Sequence, residues 1–86
     1  MSTRLYVSNL PLSATEQTLA LRFGRFGKVE SVTLDHDEHT SASRRGAFVV
    51  MGSQADAKRA IDGLNLSDFD GRLLAVYKAV AAVPAR

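Results

Sequence analysis

"RRGAFVVM", residues 44–51, alternates its side chains in an odd way. Ala47, Val49 and Met51 share one parity, while Arg44, Gly46, Phe48 and Val50 share the other. In a β-strand these sets point to opposite faces. One face is ordinary core. The other sets an aromatic ring beside an arginine, with a glycine between them, and a ring left outside a core needs something to receive.

Outward from this strand the same kinds of pattern recur. "RLYVSNL" (4–10) places Leu5 and Val7 on one parity and Tyr6 and Ser8 on the other, and Pro11 ends it. "SATE" (13–16) has the form of a capping box with Ser13 as N-cap and Glu16 at N3. Leu19, Phe23 and Phe26 then form an apolar helical stripe that Gly27 closes. "KVESVTL" (28–34) reads as a strand with Val32 and Leu34 inward and Thr33 outward, and "DHDEHTSAS" (35–43) as a polar loop. "SQAD" (53–56) repeats the cap logic with Asp56 at N3. Ala57, Ile61 and Leu64 supply a second stripe, with Ala60 on its flank. Asp70-Gly71 marks a turn, and "RLLAVYKA" (72–79) is the last strand, with Leu74 and Val76 inward and Ala75 and Tyr77 outward.

The predicted order, β-α-β-β-α-β, is the ferredoxin-like α+β arrangement: a four-stranded antiparallel sheet with two helices on one face. The helices cover one face of the sheet and leave the other open. Residues 1–80 form one domain in this reading, and 81–86 a short C-terminal tail.

Composition narrows the class. The chain has 86 residues, 45% of them hydrophobic and 23% charged, which is the balance of a single globular domain. It contains no cysteine, so disulfide scaffolds and thiolate zinc sites are excluded. There is no secretory pattern and no apolar run long enough for a bilayer, which points to a cytoplasmic protein without a membrane partner. A formal charge of only +2 does not by itself nominate a ligand.

The open face is more informative. By parity it holds Tyr6, Ser8, Gly46, Phe48 and Val50, with Thr33 and Tyr77 added from the outer strands. The first and third strands lie in the sheet interior, so Tyr6 and Phe48 meet at its centre. Exposed rings edged by Arg44 and Arg45 suit unpaired nucleic acid, since rings stack on bases and guanidinium groups take phosphates.

Here the chain resembles the RNA recognition motif family. The family's eight-residue signature runs basic, Gly, aromatic, Gly/Ala, Phe, Val, any, aromatic. Arg44, Ala47, Phe48 and Val49 match it, and "LYVSNL" (5–10) looks like the partner motif, with Tyr6 at its stacking position. The resemblance covers residues 4–79. "GKVESV" and the "DGRLL" turn look most like the short, stand-alone bacterial members. It implies single-stranded RNA as partner, with Tyr6 and Phe48 stacking on bases, Arg44 and Arg45 holding phosphates, and Ser8 and Asn9 making polar contacts. Arg4 and Lys78, at strand ends, are further candidates for phosphate, and Tyr77 and Val50 complete the expected surface.

Three positions depart from the pattern: Arg45 replaces its glycine, Gly46 its first aromatic and Met51 its last. Met51 has inward parity and is expected to pack in the core. Gly46 leaves the platform one ring short. Tyr77 is one candidate to compensate, Arg45 folded over Gly46 is another, and a bulge at Gly46 is a third.

Rival readings follow from the same residues. A tail "AVAAVPAR" (79–86) lying over the sheet would shield the rings, and Arg44 and Arg45 would balance Asp35, Asp37 and Glu38. "DHDEH" (35–39) has ligand-type residues but sits in a loop, so no metal or other cofactor is expected. No nucleophile elbow, P-loop or dinucleotide fingerprint is present, and no catalysis is expected. Single-stranded DNA stays open as a ligand. So does a protein-interaction role, in which the open face takes a partner helix or a second copy of the chain.

Overall fold

The computed structural model describes residues 3–11, 13–36 and 43–79, with residues 35, 36 and 43–45 as backbone. The elements are β1 (Arg4–Ser8), α1 (Glu16–Gly24), β2 (Val29–His36), β3 (Ser43–Met51), α2 (Gln54–Leu64), β4 (Asp68–Phe69), β5 (Arg72–Leu73) and β6 (Ala75–Lys78). One antiparallel sheet runs in the order β2-β3-β1-β6, so β3 and β1 are interior, as expected. β2 and β3 extend into the predicted loop, leaving residues 37–42 outside the described residues.

Parity sorts the sheet as the sequence predicts. Leu5, Val7, Ala47, Val49, Met51 and Val76 are buried against Leu19 and Phe23 of α1 and Ala57, Ala60 and Leu64 of α2. Met51 packs in the core. Ala60 lies deeper than expected and Ile61 takes the flank, which lets α2 approach the sheet through small side chains.

Three local expectations need correction. The N-cap of α1 is Thr15, not Ser13, with Thr18 at N3. Thr15 Oγ1 accepts from the Thr18 amide at 3.1 Å, and Thr18 Oγ1 accepts from the Thr15 amide at 3.0 Å, a reciprocal box built from two threonines. Ser13 instead donates to the Asp70 carboxylate at 2.9 Å, and Glu16 accepts from the Leu34 amide at 3.4 Å. The helix also stops at Gly24, earlier than Gly27. The amides of Arg25 and Phe26 bond three residues back, to Arg22 and Phe23, which tightens the last turn and ends it.

The predicted last strand is divided. Asp70 (φ 51°) and Gly71 (φ 93°) both have positive φ, as the tight turn of a two-residue hairpin requires. Arg72–Leu73 therefore folds back on Asp68–Phe69, and only Ala75–Lys78 joins the main sheet beside β1. Leu74, at the junction, is fully buried.

The cap of α2 is as predicted: Ser53 Oγ accepts from the Asp56 amide at 3.1 Å. The Asp56 carboxylate accepts from the Lys28 amide at 3.3 Å and pairs with Arg59. Gly27 makes room for it, since a β-carbon there would lie 2.2 Å from Asp56 Cγ.

Candidate nucleic-acid interface

The open face is organised by register. Thr33, Phe48, Tyr6 and Tyr77 align across β2, β3, β1 and β6, so three aromatic side chains stand abreast on neighbouring strands. The Tyr6 and Phe48 ring centroids are 4.9 Å apart, edge to face at 64°. Tyr6 and Tyr77 are 5.8 Å apart and tilted by 41°. Both spacings fall in the range favoured by aromatic pairs, so the rings brace one another. Tyr6 and Phe48 are half-buried, whereas Tyr77 is 49% exposed.

Arg4 lies on the same face, opposite Val50, and its guanidinium stands 4.3 Å from the Phe48 ring centroid. That is a cation–π contact. The sequence marked Arg4 only as a strand-end charge, although its parity with Tyr6 and the Tyr6–Phe48 pairing hold the signal for this placement. Val50 is half-buried beside it, and Ser8 continues the outward row of β1 beyond Tyr6.

Gly46 is buried, and the reason is Tyr6. A β-carbon at position 46 would lie 2.0 Å from the Tyr6 hydroxyl and 2.6 Å from Cζ. The phenol leans across β3 and fills the space that a side chain at 46 would take. The aromatic surface is therefore shifted by one strand: the place at 46 is closed by the neighbouring tyrosine, and Tyr77 adds a ring on the far side.

The backbone corrects the parity of the opening arginines. Asp35 pairs with Gly46 and His36 with Ser43, so β3 carries two extra residues, Arg44 and Arg45, between consecutive rungs. The irregularity sits just before Gly46, and alternation counted from Phe48 does not carry through it. The side chains of Arg44 and Arg45 lie outside the described residues, as do the tail 81–86 and residues 37–39 of "DHDEH".

Two of the predicted contact residues, Asn9 and Lys78, are placed apart from the row of rings. Asn9 (φ 68°) donates from Nδ2 to the Leu73 carbonyl at 2.7 Å, and its side-chain oxygen accepts from Arg72. Its own carbonyl accepts from Arg72 Nε at 3.2 Å. The amide thus ties the end of β1 to the β4–β5 hairpin. Lys78 pairs with Leu5, on the inward parity, and lies near Gln54, Lys58, Ile61 and Asp62 of α2. It belongs to the helical side of the sheet, opposite the rings, because Tyr77 takes the outward place.

Among the described residues, no group of three or more His, Cys, Asp or Glu could hold a metal ion, and no helix is long and apolar enough to cross a membrane.

Comparison with known proteins agrees with the geometry. The family model of the RNA recognition motif matches residues 5–75. RbpF of Nostoc sp. is 40% identical over 75 residues, spanning 87% of this chain and 71% of that protein. The crystal structure of RNA binding protein PG1 superposes with a TM-score of 0.86 at 35% identity, covering 96% of this chain and all (100%) of that one. The Sxl-lethal protein/RNA complex superposes with a TM-score of 0.80 at 34% identity, covering 90% of this chain and 47% of that one.

Proposed function

The chain belongs to the RNA recognition motif family, and on that premise we propose that it is a non-catalytic module that binds single-stranded RNA on the open face of its sheet. The observation that carries this reading is the row of Phe48, Tyr6 and Tyr77, three rings side by side on the face of the sheet opposite the two described helices. Unpaired bases stack on such rings whatever their sequence, because every base has a π-face. Arg4 stands where a phosphate next to a stacked base would pass, and Arg44 and Arg45 precede the platform in the chain. Ser8 supplies a hydroxyl at its edge. In this reading the site of action is the cytoplasm. RbpF, whose printed name is that of an RNA-binding protein, supports RNA as the ligand.

Binding works by competition: RNA held flat on the sheet cannot pair with itself. Each ring contributes about 1–3 kcal/mol per stacked base, or about 5- to 150-fold in affinity. With few phosphates engaged, the log–log salt dependence is shallow, about −0.7 per contact.

The test is a titration of a labelled pool of short random single-stranded RNA at low salt, followed by anisotropy, with Phe48→Ala and Tyr77→Ala alongside. Saturable binding that weakens at least about 5-fold in each variant supports the reading. Binding indifferent to both rings, or none, overturns it. A deoxy pool run in parallel distinguishes RNA from DNA.

A further inference from the structure

The helical side of the molecule has a feature that RNA binding does not use. Where the C-terminal ends of α1 and α2 approach each other, a groove of about 580 Å³ is lined by Leu21, Arg22, Arg25, Phe26, Gly63 and Leu64. Leu21 is 69% exposed at its rim, the most exposed large apolar side chain among the described residues. Phe26 is half-buried and packs on Gly63, where a β-carbon would lie 2.2 Å from its ring. The glycine makes room for this ring beside the groove.

The charge on the groove has one sign. Neither arginine has an acidic neighbour among the lining residues, and the ion pairs of the described residues, Lys58–Asp62 and Arg59–Asp56, involve neither of them. Arg22 is held in place: its guanidinium donates to the Asp68 carbonyl at 3.1 Å and stacks 4.1 Å from the Phe69 ring centroid. Its position is therefore set before any partner arrives, which lowers the ordering cost of an ion pair. Arg25 is exposed beside it.

We propose that this groove binds an acidic peptide segment of a partner protein, with one bulky apolar side chain inserted between Leu21, Phe26 and Leu64 and carboxylates on Arg22 and Arg25. Charge complementarity selects this occupant. A second copy docking the same face would bring two arginine pairs together, and like charges at an interface oppose association. The groove and the ring platform lie on opposite sides of the sheet, so RNA and peptide bind together.

The experiment uses the full chain and a short fluorescein-labelled peptide of glutamates flanking a single tryptophan. Saturable binding is expected, weakened at least about 5-fold by Leu21→Ser, by Arg25→Glu, or by serine in place of the peptide's tryptophan. Leu21 and Arg25 are both exposed, so either variant keeps the fold. Amide chemical shifts are expected to move at Leu21 and Gly63 and to stay fixed at Gly46. No saturable binding, shifts confined to the sheet, or indifference to both variants overturns the proposal. RNA titrations of the two groove variants are expected to match the wild type. A matching loss of RNA affinity would make the groove part of the RNA site and overturn the proposal as well. Failure of RNA binding alone leaves the peptide result standing.

Discussion

The Tyr6 hydroxyl lies 2.0 Å from where a β-carbon of residue 46 would be, so the glycine and the tyrosine occupy one shared space. Gly46→Ala is therefore expected to destabilise the fold by about 1–3 kcal/mol, as overpacking does. In a Tyr6→Ala background the same change is expected to be neutral or stabilising, because a strand alanine otherwise outperforms glycine. Urea unfolding of the four proteins of this double-mutant cycle measures the coupling. Equal costs in both backgrounds would refute the shared space.

Arg4 above Phe48 gives a second expectation. Arg4→Gln removes the cation–π contact, worth about 0.5–1 kcal/mol at an exposed site, and leaves the fold intact. RNA affinity is expected to fall, and the log–log salt slope to lose about 0.7 if the guanidinium also meets one phosphate. An unchanged slope would confine Arg4 to bracing the ring.

Asn9 is expected to matter for stability and not for binding. Asn9→Ala loses the bonds to Leu73 and Arg72 and places a β-carbon residue at φ 68° without a compensating amide. The expected cost is about 1–3 kcal/mol in thermal or urea unfolding, with RNA affinity unchanged where both proteins are folded. A selective loss of affinity would return Asn9 to the interface.

Asp56 makes part of the stability depend on pH. The Lys28 amide, with help from Arg59 and Ser53 and against a smaller opposing effect of burial, holds its carboxyl below the ordinary value of 3.8. A depressed native pKa contributes stability that is present above the unfolded value and lost as pH falls through the folded one. The stability gap between the wild type and Asp56→Asn is therefore expected to be full at neutral pH and to close below about 4. A gap constant down to pH 2 would show the carboxylate charge to be irrelevant.

How much of this was legible in the sequence depended on distance along the chain. Tyr6 and Phe48 were readable because parity is local and a buried face leaves no doubt about which set is core. The cap of α1 was misplaced because "SATE" and "TEQT" are overlapping frames, and a threonine at N3 serves as well as a glutamate. The hairpin at 68–73 was invisible to alternation because two positive-φ residues, and not hydrophobic pattern, turn the chain back. Asn9 bonds to residues more than sixty positions away, which no window on the sequence contains. Gly46 read as a missing ring because the phenol that replaces it comes from another strand.

A bulge in β2, at Glu30, bears on how the edges of the sheet behave. The outer strands of an open sheet carry unpaired backbone groups that foreign strands can join, and strand addition is the usual start of aggregation. Here Val29 pairs with Met51 and Ser31 with Val50, so the exposed Glu30 interrupts the ladder on one outer strand. The opposite outer strand, β6, is only four residues long. A charged kink on one border and a short border on the other make edge-to-edge pairing of the described strands unfavourable.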